Sequence, residues 1–250
     1  MKEKAARRAA PAKPGPHFDF EREAMAQGCL HVAGVDEVGR GPLAGPVGVA
    51  AVILDPNDLP EGLDDSKVLT EAQRDALRPV IFAKAISVAI VFASPGEIDA
   101  HNVRGASLRA MARAVGALHV RPHLALVDGR DRPEGLCCPA RAIIDGDALS
   151  LSIAAASIIA KTTRDALMRN LHAEYPHYGF ADHVGYATAA HRRALIAAGP
   201  CPYHRRSFRL GDQEAEIPPG PRKDLRKVEV KTFFAELSPF ENDTTSGAPG

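Results

Sequence analysis

The sequence predicts an α/β fold: a mixed β-sheet flanked by helices, with a C-terminal helical segment. Three observations predict it. Short apolar runs rich in Val, Ile, Leu and Ala recur at residues 29–37, 47–54, 87–93, 123–128 and 140–144, the length and composition of strands. Long Ala-rich segments with helical period separate the later runs. The first two runs are joined only by the Gly/Pro-rich stretch VGRGPLAGP, which suits a hairpin-like connection.

Taken in order, CLHVAGVDE reads as the first strand and VGVAAVIL as the second. TEAQRDALRPVIFAKA follows with a helical pattern, and Thr70 stands where an N-cap is needed. SVAIVFA is the third strand, and the length of its connection argues against a simple meander. Residues 95–119 have helical composition and period, after which HLALVD and ARAII form two further strands. DALSLSIAAASIIAKTTRDALMRNLHAEY is a long helical segment, and ATAAHRRALIAAG is another, stopped by Gly199. Three strands first and then strands alternating with helices give a sheet of mixed direction.

The ends differ from this middle. Residues 1–17 are basic and Ala/Pro-rich without an apolar period, as a disordered tail would be, and from 211 to 250 the chain turns to charge, Pro and finally NDTTSGAPG. The compact domain is expected at 18–210. Formal net charge is zero over 250 residues, so any nucleic-acid footprint must be local. Cys29, Cys137, Cys138 and Cys201 show neither C-x-x-C pairing nor zinc spacing, which fits free thiols in a reducing cytoplasm. No apolar run approaches about 20 residues, so no membrane span is expected, and no signal-peptide core follows the basic N-terminus.

Acids occupy the strand ends. Asp36 and Glu37 close the first strand, Asp128 closes HLALV, and Asp147 follows ARAII. Ligands of α/β proteins gather at such ends. Strand alternation sends Asp36 and Glu37 to opposite faces, so both serve one site only if the strand twists or ends there, which Gly39 permits. Asp36 is the stronger candidate of the two. Clustered carboxylates repel unless cations offset them, and an all-oxygen donor set suits Mg²⁺ or Mn²⁺ rather than zinc. Two such ions about 3.5–4 Å apart would support phosphodiester hydrolysis. Immediately downstream, Gly39, Arg40 and Gly41 offer backbone groups that a ligand can approach closely.

The blocks GVDEVGRGPLAGPVGVAAVIL, DDSKVLT, LVDG, GDALSLSIAAASIIAKTTRD, YPHYGFADHVGYATAAH and HRRSF, in that order, closely resemble the bacterial ribonuclease HII (type 2 RNase H) family over roughly residues 30–208. The resemblance implies an RNase H-like fold and metal-dependent endonucleolytic cleavage of RNA in RNA–DNA hybrids. It also implies cleavage at a lone ribonucleotide in duplex DNA, and hence removal of misincorporated ribonucleotides. Asp36, Glu37, Asp128 and Asp147 fall on the family's catalytic carboxylates. Gly39, Arg40, Gly41 and Tyr186 fall on its readers of the ribose 2′-hydroxyl, the group that separates RNA from DNA. A 3′-hydroxyl and a 5′-phosphate would be left.

Ser66 and Lys67 in DDSKVLT, Asn102, Ser152, Ser157 and Lys161 are candidate contacts to the substrate backbone, which position a duplex without reading it. His183, Arg205 and Arg206 would either grip DNA or pair with nearby acids. Asp145 stands where the family pattern has Lys, which adds negative charge beside Asp147. In the last segment VEVKTFF offers two aromatics that would suit an apolar groove on a sliding clamp. The chain is expected to act as a monomer. A junction resolvase or integrase would also cluster acids on a sheet rim, and a non-catalytic hybrid-binding module is the other class. The Gly-Arg-Gly loop and Tyr186 favour a ribose reader.

Overall fold

The computed structural model describes residues 15–208. The expectations for residues 1–14 and 209–250, VEVKTFF among them, lie outside the described residues. Five strands form one sheet: β1 (Val32–Val38), β2 (Val47–Leu54), β3 (Ala85–Ala93), β4 (Leu124–Asp128) and β5 (Ala140–Ile143), in the order β3-β2-β1-β4-β5. The β3–β2 and β2–β1 pairs are antiparallel, and the β1–β4 and β4–β5 pairs are parallel. The expected mixed sheet is therefore present. The length of the β2–β3 connection did not prevent a meander: helix α2 (Glu71–Lys84) sits in that connection, and β3 still returns antiparallel along β2.

Helices cover both faces, which is why all eight residues of β2 are buried. Helix α3 (Pro95–Gly116) sets Ile98, Ala106, Ala110 and Met111 against Ala33, Val35, Val49 and Val127. Helix α4 (Leu151–Glu174) packs Ala154, Ala155, Ile158 and Ile159 against Ala50, Val52 and Leu54 on the opposite face. Its small residues allow close approach, which is closest at Gly34, where an added Cβ would overlap the Ser152 carbonyl and the Ile153 amide. Helices α5 (Phe180–His183) and α6 (Ala189–Ala198) form the predicted C-terminal segment, in which Tyr178, Phe180 and Leu195 cluster with Ala44, Met168 and Leu171. Among the described residues no helix is long and apolar enough to cross a membrane.

The predicted caps are present. Thr70 forms a reciprocal capping box with Gln73, and Gly199 ends α6 with a positive φ of 70°. Three features differ from expectation. Helix α1 (Asp19–Ala26) was not anticipated. The segment at 95–119 is broken at Asn102, whose φ of 56° and ψ of 165° interrupt the helix while its Oδ1 accepts the Gly105 amide at 3.0 Å and recaps the chain. Asp147 lies on a separate 3-10 turn, Gly146–Ala148, rather than on the long helix, because Ser150 caps α4 after it.

Candidate active site

Asp36 and Glu37 point to opposite faces of β1, as alternation requires. They share a cleft because β4 stops beside them. The β1–β4 ladder ends at Val35 opposite Val127, whereas β1 stays paired to β2 through Val38. Beyond that last pair the sheet is open on one side of β1, and Asp128, the final residue of β4, stands at the opening. A cleft of about 400 Å³ is lined there by Asp36, Glu37, Asp128, Gly39 to Gly41, Ser66, Lys67, Ser157, Lys161 and Tyr186. A second, smaller hollow on the α3 side contains Glu37 and Asp128 together with Arg40, Arg104 and Arg130.

Burial pushes the Asp36 carboxyl well above the usual carboxylate range, and the charges of Glu37, Asp128 and Asp147 push it the same way, while a Ser157 hydrogen bond partly opposes them. Burial also raises Glu37, against the pull of Arg40, whose Nη1 lies 3.2 Å from Oε1. Burial and the neighbouring Asp147 raise Asp128, although the Gly146 amide donates to its Oδ1 at 2.8 Å. Asp147 is buried, and the Lys67 ammonium lies 2.6 Å from its Oδ2. Burial works against that ammonium, but Asp147, Asp65 and Asp36 outweigh it and hold Lys67 above the ordinary lysine value. Asp145 is exposed in a left-handed conformation, so of the two acids it is Asp147 that joins the group.

These residues suit hard divalent cations by chemistry: four oxygen-donor carboxylates, three of which are held above the usual range by burial and by one another's charge. Among the described residues, no three His, Cys, Asp or Glu side chains converge closely enough to ligate an ion as they stand. The acid that would complete the set, Asp147, is engaged by Lys67 instead.

The loop after β1 is braced from beneath by two buried arginines. Arg205 donates from Nε to the Gly45 carbonyl at 2.9 Å, from Nη1 to the Arg40 carbonyl at 2.8 Å, and from Nη2 to the Gly39 carbonyl. Arg164 donates to the Pro46 and Ala44 carbonyls at 2.9 and 3.2 Å. Gly39, at φ 85°, packs directly on the Arg164 side chain, where a Cβ would collide. Burial and the Arg164 charge push the Arg205 guanidinium down to about 9. Arg205 is thus buried against loop carbonyls, with no ion pair to an acid among the described residues, and it shapes the loop. His183 is also buried, bonded to the Tyr178 carbonyl at 2.8 Å and to the Gly185 amide at 3.2 Å, and it shapes the turn that presents Tyr186. Arg206 is exposed, and its backbone amide donates to Asp99.

The remaining candidates divide. Ser66 and Ser157 meet at 2.8 Å between their hydroxyls, and Tyr186, 46% exposed, stands beside Gly41 in the cleft. Lys161 lines the cleft while paired with Asp165 at 2.6 Å. Ser152 does not face the cleft: it is wholly buried beneath Gly34, and its amide donates to Glu21. It lies five residues before Ser157, and at 3.6 residues per turn the two cannot share a helix face. Asn102 is exposed at the break in α3 and lines neither hollow. Sequence reasoning missed Arg74, which donates to the Ser66 and Leu69 carbonyls and holds the Lys67 loop. It also missed the bracing roles of Arg164 and Arg205, for which the blocks containing them were the only signal.

A family model described as Ribonuclease HII matches residues 33–210. The ribonuclease HII of Brucella ovis is 55% identical over 194 residues, covering 77% of this chain and 88% of that protein. That of Agrobacterium fabrum is 55% identical over 195 residues, covering 78% and 89%. Among solved structures, ribonuclease H2 from Pyrococcus horikoshii OT3 superposes with a TM-score of 0.61 at 28% identity, covering 72% of this chain and 95% of that one. The RNase HII of Archaeoglobus fulgidus, solved in its complex with PCNA, gives 0.63 at 26% identity, covering 78% and 98%. The sheet is that of the RNase H-like fold, its acids stand where two parallel strands part, and the sequence match runs through all of these elements: the chain belongs to the ribonuclease HII family and is a ribonuclease H endonuclease.

Proposed function

We propose that the cleft hydrolyses the RNA strand of RNA–DNA hybrids and the phosphodiester on the 5′ side of a single ribonucleotide embedded in duplex DNA, leaving a 3′-hydroxyl and a 5′-phosphate. One observation carries this reading: the acids Asp36, Glu37 and Asp128 share a cleft with the Gly39–Gly41 loop and Tyr186. Asp36, Glu37, Asp128 and Asp147 would hold two Mg²⁺ or Mn²⁺ ions. Such ions, when bound, supply the charge that activates water and stabilises the leaving oxygen.

The chain's own groups then have separable tasks. Arg205 holds the carbonyls of Gly39 and Arg40, so the loop's amides remain to meet a 2′-hydroxyl, which accepts as readily as it donates. Tyr186 offers a ring on which a sugar or base can rest. Lys67, whose side chain is 76% exposed, can exchange Asp147 for a phosphate, and Ser66 adds a hydroxyl beside it.

The test is cleavage of a duplex with one ribonucleotide against the same duplex in DNA alone, each with and without Mg²⁺ or Mn²⁺. Cutting only at the ribonucleotide, and only with metal, is expected. Equal cutting of both duplexes would favour a resolvase-like nuclease and end the ribose-reading assignment.

A sliding clamp is the second partner in this reading. The similar Archaeoglobus fulgidus protein was solved bound to PCNA, and VEVKTFF carries two adjacent aromatics of the kind that dock in apolar grooves. Deleting residues 228–250 is expected to abolish clamp binding in a surface-capture assay and to leave cleavage of a short duplex unchanged. Clamp binding that survives the deletion removes this partner.

A further inference from the structure

The helix that precedes the family match reaches the start of α4, just after Asp147. Helix α1 ends at Ala26, whereas the family model begins at residue 33. Its Glu21 is wholly buried. Oε1 accepts the Ser150 hydroxyl at 2.6 Å and the Ser152 amide at 3.0 Å. That amide belongs to the first turn of α4, where no helical carbonyl is available to receive it, and a negative charge is favoured at that end of a helix. Ser150 is the N-cap of α4, its side chain accepting the Ile153 amide at 3.3 Å.

Two backbone bonds add to the clamp. The His17 amide donates to the Leu149 carbonyl at 3.1 Å, and the Leu151 amide donates to the His17 carbonyl at 3.2 Å. Residues 17–21 thus hold residues 149–152 through four hydrogen bonds. Asp147 stands just upstream, in a turn closed by the Ser150 amide on the Gly146 carbonyl at 2.8 Å, while the Gly146 amide is held by Asp128. The fourth acid therefore hangs between two anchors: Asp128 on one side and the Glu21 clamp on the other.

We propose that Glu21 is a positioning residue for the metal site: through Ser150 and the first turn of α4 it sets the place of Asp147. The chemistry favours this over simple packing. Glu21 Oε2 and the Ser152 hydroxyl are both buried without a hydrogen-bond partner, so an apolar side chain would fill this space with fewer unsatisfied groups. What an apolar side chain would not do is hold the Ser150 hydroxyl and the Ser152 amide at once. Groups behind a metal ligand, which touch no metal, typically govern affinity by about 10- to 100-fold.

The inference rests on the reading of Asp147 as a metal ligand, and the experiment separates the two. In the full chain, Mn²⁺ binding is measured by calorimetry for wild type, Glu21→Ala, Glu21→Gln and Asp147→Asn, with melting temperature recorded alongside. Glu21→Ala is expected to weaken Mn²⁺ binding about tenfold, with substrate KM unchanged and kcat restored at saturating Mn²⁺. Glu21→Gln keeps an acceptor and is expected to stay within about twofold of wild type. Mn²⁺ affinity unchanged in Glu21→Ala overturns the proposal, whatever happens to its melting temperature. Should Glu21→Ala not fold, Glu21→Leu, which fills the same space without an acceptor for the Ser150 hydroxyl and the Ser152 amide, takes its place under the same two outcomes. If Asp147→Asn itself binds Mn²⁺ as wild type does, the fourth-ligand reading fails and this inference falls with it. If Asp147→Asn loses affinity and the Glu21 variants do not, only the positioning role is wrong.

Discussion

Asp36→Asn is expected to lower kcat on a ribonucleotide-containing duplex by on the order of 10³-fold or more, equivalent to about 4 kcal/mol of barrier, while making the metal-free protein more stable. Both effects have one origin. Asp36 is 5% exposed, and burial and its acidic neighbours hold its carboxyl well above the usual range. Its Oδ1 accepts the Glu37 amide at 2.7 Å, a bond that Asn can keep, so the substitution removes charge with little change of shape.

The sign follows from linkage. A carboxyl whose folded pKa lies above its unfolded value binds its proton more tightly when folded, so its penalty is absent below the unfolded pKa and grows as pH rises through the folded one. Each unit of that difference is worth about 1.4 kcal/mol, and each kcal/mol moves Tm by about 2–4 °C in a chain of this size. In EDTA at pH 7, Asp36→Asn should therefore melt above wild type, with the gap closing towards about pH 4. Added Mg²⁺ should raise the wild-type Tm and narrow the gap. Equal melting temperatures at pH 7 in EDTA would show that the acids do not strain the fold, and retained metal-dependent turnover would remove Asp36 from the catalytic group.

Gly34→Ala is expected to cost about 3 kcal/mol or more, near the upper end for overpacking. The new methyl would overlap the backbone of Ser152 and Ile153, and backbone cannot rotate aside as a side chain can. Helix α4 would have to lift from β1, and the same helix carries Ser157 to Asp36 and begins just after Asp147. Activity should fall together with stability. Urea unfolding of the variant measures the cost, and a loss below about 1 kcal/mol would mean that α4 yields to the added methyl without lifting from β1.

Much of the fold was legible because strands and helices impose periods on a chain. VGVAAVIL marked β2 residue for residue, and Thr70 announced the start of α2. The acids were legible for the same reason: Asp36, Glu37, Asp128 and Asp147 interrupt or follow apolar runs. Buried arginines were not. Arg164 and Arg205 look like surface cations in a sequence, because nothing local shows that five carbonyls of the 39–46 loop will surround them. The long Ala-rich segment could not say which serine would face Asp36, and the structure sends Ser157 to the cleft and Ser152 under Gly34. Glu21 was hidden too, since its partners lie about 130 residues away in the chain.

Residue order and spacing were enough for the class of fold, for four candidate acids and a candidate Gly-Arg-Gly loop and, through the order of the blocks, for the family. Tertiary structure alone decided how Asp36 and Glu37 serve one cleft. Glu37 never turns to join Asp36 on one face. The two remain on opposite sides of β1, and the cleft reaches both because β4 ends at Asp128 while β1 runs on to Val38. Where a strand's neighbour stops is a property of pairing between distant segments, set by register and packing rather than by either segment's own residues.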